Sequence, residues 1–206
     1  MSDFFQSLGV SRETIQTLEK YQSLLLEWQK KINLVSRETI DDFWQRHIVD
    51  SGQLVQYMPN KKSRILDLGS GAGLPAVVLS IMGFSDVTLV ESNSKKIAFL
   101  KEVRRNLGLN YTIAEERIET IPPFTVDVIT SRALASLEKL LVYAEPFVTK
   151  SSQLIFHKGQ KSQEEILKAS KNWSFEVSLK QSITSREGAI LILSGLCKKN
   201  ESNRNC

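Results

Sequence analysis

Ile65-Leu66-Asp67-Leu68-Gly69-Ser70-Gly71-Ala72-Gly73-Leu74-Pro75 decides the fold. Its first residues form an apolar run that reads as a buried strand. Gly69, Gly71 and Gly73 follow at alternate positions, where the backbone can turn tightly and a ligand can approach without Cβ interference. Pro75 suits a first helical turn, because its missing N–H costs nothing there. A strand, a glycine turn and a helix at the head of an α/β unit predict a nucleotide-type ligand.

The spacing narrows that ligand. The dinucleotide fingerprint is G-x-G-x-x-G, and here Leu74 occupies the place of its third glycine. Asp67 stands just before the first glycine, and a carboxylate there repels a pyrophosphate. It suits a ligand with an ammonium group and no phosphate. S-adenosylmethionine (AdoMet) is such a ligand, combining adenosine, a sulfonium and an amino acid. Glu91 follows Gly69 by 22 positions and ends the run Val87-Thr88-Leu89-Val90. An acidic residue at the tip of a second strand can take ribose hydroxyls. Asp67, the glycines and Glu91 together predict an AdoMet site and disfavour a dehydrogenase.

Composition sets the outer limits. The chain has 206 residues, enough for one α/β domain with a sizeable core. No apolar run approaches the ~20 residues of a membrane span. Residues 1–10 include Asp3 and show no secretory pattern, and two cysteines, Cys197 and Cys206, make no disulfide framework. A soluble, cytoplasmic location is expected. The net charge of +4, with pI near 9.0, permits a polyanionic partner without demanding one.

Periodicity predicts the elements. Residues 11–32 read as one amphipathic helix, with Ser11 as its cap and Ile15, Leu18, Tyr21, Leu25, Trp28 and Ile32 as one apolar stripe. A second helix is expected from about Asp41 to Tyr57. Strands are expected at 64–68, 87–91, 110–114, 126–130, 153–157, 174–180 and 188–196, with helices at 74–82, 94–107, 135–145 and 161–171. Alternating strands and helices predict an α/β fold with a mostly parallel, doubly wound, seven-stranded sheet. The last two strands have a short connection and should pair antiparallel. The chain reads as a single domain over 1–206, with residues 1–60 a helical extension packed on a core over 61–200.

Five motifs occur in order: Asn33-Leu34, Arg46-His47-Ile48-Val49-Asp50-Ser51, Asp67–Pro75, Ser131-Arg132-Ala133 and Lys158-Gly159. Over roughly residues 20–165 the chain resembles the bacterial small-subunit ribosomal RNA methyltransferase G family, also called glucose-inhibited division protein B. The resemblance implies a Rossmann-like methyltransferase fold with an N-terminal helical extension. It implies AdoMet-dependent methylation of guanine N7 in a 16S rRNA loop near the decoding centre. Two departures are Ala76, where the family usually has glycine, and the neighbourhood of Arg186, to which no role is carried.

Guanine N7 is an unprotonated lone pair, so direct in-line displacement on a sulfonium methyl group needs no general base. Alignment and electrostatic placement should then supply the catalysis. In that reading Gly69, Gly71, Gly73 and Leu74 wrap the cofactor, and Asp67 and Glu91 bind its polar groups. Ile118 and Glu119 cover the adenine. Arg132 serves the cofactor or the target base, and Asn33, His47 and Lys158 act on the substrate side, with Asp50 placed to orient His47. No metal site is expected, since the two histidines are far apart and C-x-x-C is absent. Lys61, Lys62, Arg64, Lys95, Lys96, Lys101, Arg104 and Arg105 are candidates for rRNA phosphates. The expected substrate is 16S rRNA, a 30S subunit or an assembly intermediate, and the expected state is a monomer. Two alternatives stand beside this one: an AdoMet methyltransferase acting on a small molecule or protein, and a catalytically silent RNA-binding module.

Overall fold

The computed structural model describes residues 3–199; Cys206 lies outside them. A seven-stranded sheet runs in the order β3-β2-β1-β4-β5-β7-β6. The strands are β1 (Arg64–Leu68), β2 (Asp86–Val90), β3 (Thr112–Ala114), β4 (Val128–Arg132), β5 (Gln153–Lys158), β6 (Trp173–Gln181) and β7 (Ala189–Lys198). β1 to β5 are mutually parallel, and β7 runs antiparallel between β5 and β6. This is the mostly parallel, doubly wound architecture expected.

The chain steps outward from β1 through β2 to β3, then returns to place β4 on the other side of β1. The winding therefore reverses between β1 and β4. In open α/β sheets, ligands sit outside the carboxyl ends of the strands at such a reversal. The glycine turn leaves β1 at that point.

Two apolar layers cover the sheet, and the period-2 alternation of β1 divides between them. Ile65 packs in the layer holding the N-terminal segment, α4 (Ala76–Ile81) and α5 (Ser94–Leu107). Leu66 and Leu68 pack in the layer of α6 (Leu137–Ala144) and α7 (Ser162–Ala169). Asp67 shares the Ile65 face, so it lies under the N-terminal layer rather than in solvent.

The N-terminal segment begins with α1 (Asp3–Ser7), which periodicity did not predict, and α2 (Arg12–Gln29). Ser11 caps α2 as expected, its hydroxyl accepting from Thr14 N. Leu18, Tyr21 and Leu25 are fully buried. The helix expected over 41–57 is a composite. A π-helical turn spans Trp44–Val49, a single α-turn α3 spans Asp50–Gly52, and a 3₁₀ stretch spans Gln53–Tyr57. π-turns recur at functional sites, and this one carries Arg46 and His47. The helix expected at 74–82 starts later, at Ala76, with Pro75 as its N-cap after a cis Leu74–Pro75 bond. No helix is long and apolar enough to cross a membrane among the described residues.

One contact joins the N-terminal layer to the glycine turn. The Tyr21 hydroxyl donates to Ala72 O at 2.6 Å, while its ring stacks on Phe99 at a centroid distance of 6.5 Å. Burial pushes the Tyr21 pKa up, so the hydroxyl keeps its proton. Tyr21→Phe keeps the ring packing and strands a buried carbonyl. It is expected to lower unfolding free energy by about 1–3 kcal/mol, measured by denaturant titration.

Candidate functional site

The glycine turn forms one wall of a cavity of about 560 Å³. Gly69 and Gly71 take φ of +67° and +56°, a region other residues enter at a cost. A Cβ on Gly69 would lie 2.6 Å from Leu134 Cδ1, whereas one on Gly71 would meet nothing closer than 3.8 Å. The face of Gly71 is thus open, and a side chain there would take up room in the cavity. Leu74 also lines this cavity. Gly73 does not. Its φ of +89° and a 2.4 Å clash of any Cβ with Val77 Cγ2 make it a packing requirement of the turn.

Glu91 is nearly buried at the carboxyl end of β2 and lines the same cavity. Its Oε2 accepts from Gly71 N at 2.9 Å. Its Oε1 accepts from Ser92 N at 2.9 Å and Asn93 N at 2.7 Å. A carboxylate offers roughly four lone-pair sites, so three are spent on the walls themselves. Glu91 shapes the cavity first and has one site left for a hydroxyl. Ile118 and Glu119 stand on another wall, with Glu119 Oε1 accepting from Tyr143 OH at 3.0 Å. Lys96 and Tyr143 line the cavity too, and pattern reading singled out neither for it. Glycines that spare room for a ligand, an acidic strand tip and an apolar wall at Ile118 fit an AdoMet-type cofactor.

Asp67 is not a wall of this cavity. It is fully buried, with Oδ1 accepting from Thr130 Oγ1 at 2.7 Å and Oδ2 without a partner. The side chain lies on the Ile65 face beneath the N-terminal layer, set back from the cavity that its expected ligand would occupy. Burial raises its pKa to about 7, against hydrogen bonds from Ser70 and Thr130. Asn33 is exposed and also off the wall. The residue that works there is Gln29, whose amide binds Leu34 N, Val35 N and Val35 O and sets Leu34, Val35 and Ser36 against the cavity.

His47 is buried and lines the cavity from the π-turn. Thr39 Oγ1 donates to Ser36 O at 2.7 Å, so at 2.8 Å His47 Nε2 must donate to Thr39 Oγ1. That leaves Nδ1 a buried acceptor without a partner. Burial, then the positive charge of Arg132, lower the His47 pKa to about 3, so the ring is neutral. Asp50 does not orient His47, because it turns toward the sheet instead.

Arg132 ends β4 at the junction with a second cavity of about 350 Å³, and Arg132 and Ala133 line both. Arg132 Nη2 donates to Arg46 O at 2.7 Å, and Nε lies 3.3 Å from Asp50 Oδ2. Asp50 Oδ1 accepts from Thr184 Oγ1 at 2.6 Å and Gln53 Nε2 at 2.8 Å, and Asp50 O accepts from His157 Nε2 at 2.8 Å. Burial opposes charge on Asp50, but His157, Arg132 and the hydroxyls of Thr184 and Ser182 hold its pKa below the ordinary value. Ala133 has φ of +53°, an uncommon strain for a residue with a Cβ and one with no sequence signal.

Lys158 is also on the second cavity, but its ammonium is engaged. Nζ donates to Ala135 O at 2.9 Å and pairs with Glu165 Oε2 at 2.6 Å, tying down the segment after β4. The expected basic face is largely paired as well. Lys101 meets Glu115 at 2.6 Å, Arg105 meets Glu102 at 2.6 Å, and Arg104 binds Tyr111 O.

Two outcomes follow from this geometry. Gly71→Val is expected to weaken AdoMet binding at least tenfold in calorimetry and to leave the far-ultraviolet circular dichroism unchanged. Asp67 binds its proton more tightly folded than unfolded, so its ionisation destabilises the native chain as pH rises from about 4 to about 7. Asp67→Asn is expected to gain stability relative to the native chain across that window and to level off above it, in chemical melts at pH 4.5, 6 and 8.

Residues 14–193 match the family model described as rRNA small subunit methyltransferase G. The ribosomal RNA small subunit methyltransferase G of Paramagnetospirillum magneticum is 44% identical over 185 residues, covering 90% of each chain. That of Rickettsia rickettsii is 41% identical over 191 residues, covering 93% of this chain and 99% of that one. Solved structures share the fold at low identity. The PH0226 protein of Pyrococcus horikoshii has a TM-score of 0.63 at 14% identity, covering 82% of this chain and 98% of that one. The ribosomal protein L11 methylase of Lactobacillus delbrueckii has a TM-score of 0.60 at 15% identity, covering 71% and 76%. With its glycine turn, acidic strand tip and Arg132 junction set in this fold, the chain belongs to the rRNA small subunit methyltransferase G family.

Proposed function

We propose that this chain uses AdoMet to methylate guanine N7 in the decoding-region loop of 16S rRNA. Family membership supports methyl transfer to small-subunit rRNA. The observation that carries the finer reading is the junction at Arg132 and Ala133, where a cavity suited to the cofactor meets a second, polar cavity.

When bound, AdoMet supplies an electrophilic methyl group on a sulfonium. Held by Gly69, Gly71, Leu74 and Glu91, it would offer that methyl group to the guanine N7 lone pair and keep the S–C bonding pair on sulfur. No proton leaves, and the positive charge passes to the base. The chain's residues need only bind, orient and exclude water. Gly69, Gly71 and Leu74 give the cofactor room, Glu91 accepts from a ribose hydroxyl, and Ile118 and Glu119 cover the adenine. Arg132 stays charged at the junction. Burial lowers its pKa, but Asp50 opposes that shift, and guanidinium starts far above neutral. His47, neutral and already donating to Thr39, presents a lone pair rather than a charge. Asn33 acts only through the loop it belongs to, and Lys158 by holding the segment at Ala135.

The substrate is proposed to be 16S rRNA, alone or in a 30S subunit or its assembly intermediate, met by a monomer. The test is labelled methyl transfer from AdoMet to 16S rRNA and to 30S subunits, with the nucleoside identified by mass spectrometry. Formation of 7-methylguanosine is expected. Transfer to protein alone would overturn the reading, and so would AdoMet binding with no transfer to RNA. Arg132→Ala is expected to lower turnover by 10-fold or more and to leave AdoMet affinity within a few-fold.

A further inference from the structure

We infer that the second cavity receives the target guanine and that Glu187 reads its Watson–Crick edge. This rests on the function proposed above and adds the site and the code. The cavity, at about 350 Å³, is within the range of small-ligand pockets. It shares Arg132 and Ala133 with the cofactor cavity, so a base held in it can turn one edge toward the transferring methyl group.

Guanine carries N7 and O6 on one edge and N1–H and N2–H₂ across the ring. Reading the second pair takes two acceptors side by side, which a carboxylate supplies. Two carboxylates line this cavity, Asp50 and Glu187. Asp50 is spent on Arg132, Gln53, Thr184 and Ser182. The Glu187 carboxylate makes no hydrogen bond or ion pair among the described residues. Its backbone, by contrast, is braced. Glu187 N donates to Ser185 Oγ at 3.3 Å, Gly188 N to Ser185 O at 3.2 Å, and Gly188 O accepts from Ser182 N and Gln181 Nε2. A Cβ on Gly188 would crowd Ser182 and Ser185 at 3.0 and 3.1 Å, so the turn that presents Glu187 is tightly set.

The opposite edge meets Arg132. Its Nε and Nη2 are engaged, and Nη1 has no partner among the described residues. Nη1 donates to O6 and leaves the N7 lone pair for the methyl group. Adenine fails at both ends, with an amino group facing the guanidinium and an unprotonated N1 facing the carboxylate. The same arrangement favours the transition state. As positive charge reaches the base, N1–H becomes more acidic and its bond to Glu187 strengthens, an interaction gained during transfer rather than on binding.

Glu187→Gln replaces one acceptor with a donor at the same place. Single-turnover methylation of 16S rRNA at saturating AdoMet should slow about 10- to 100-fold, the scale of one bidentate base contact. AdoMet affinity and melting temperature should not move, because the residue is exposed and off the cofactor cavity. A second arm uses rRNA carrying inosine, which lacks the 2-amino group, at the position the native chain methylates. The native chain should prefer guanine to inosine, and Glu187→Gln should lose most of that preference. An unchanged rate and preference in Glu187→Gln overturn the assignment while the function stands. No transfer to RNA by the native chain overturns both.

Discussion

The Glu91 carboxylate holds two separate backbone turns in one place, and the ligand edge of the sheet depends on it. One oxygen fixes Gly71 in the turn after β1, and the other fixes Ser92 and Asn93 after β2. A buried carboxylate is costly unless its lone pairs are met, and three amides meet most of them here. Asn93 then caps α5, accepting from Lys95 N and Lys96 N, which brings Lys96 to the cavity wall. Tyr21 supports the same turn from behind through Ala72 O. The cavity is therefore built from backbone held by polar side chains, a stiffer boundary than side chains alone would make.

The second cavity has a different construction. Its walls come from segments far apart in the chain, gathered by Asp50. That residue joins the N-terminal composite helix to Arg132 at the end of β4, His157 on β5 and the loop between β6 and β7. Gln53 adds a parallel tie, its Oε1 accepting from Ile183 N at 3.0 Å. The N-terminal extension is thus part of both cavities. It supplies Leu34, Val35, Ser36, Thr39 and His47 to one, and Arg46 and Asp50 to the other.

These two constructions explain what the sequence showed and what it hid. β1, the glycine turn and Glu91 are legible because their constraints are local: a period of two, φ values that favour glycine and an acidic residue at a strand tip. Asp67 misled because position along a strand says which residue precedes the turn, not which face covers it. The composite over 44–57 kept a helical apolar pattern while its hydrogen bonding changed type, and periodicity cannot tell these apart. Lys158 looked like a free cation because Glu165 and Ala135 reach it only through folding. The partners of Asp50 at Thr184 and His157 are more than a hundred positions away, so no local pattern announces them. The strained Ala133 carries no mark at all.

The same contacts set a fixed electrostatic field. In the proposed reaction, transfer from a sulfonium to guanine N7 moves one positive charge and no proton, so a group that titrates near neutrality at the junction would only make the rate depend on pH. The structure leaves few such groups there. Burial holds His47 neutral, with its pKa near 3, and lowers the pKa of His157. Asp50 stays ionised beside Arg132, which stays protonated, and Glu187 adds a carboxylate to the second cavity. Asp67, near 7, is the exception. It sits behind the glycine turn under the N-terminal layer, so its ionisation reaches the stability of the wall rather than the chemistry in front of it. A site arranged in this way holds its charges constant and leaves alignment to decide the rate.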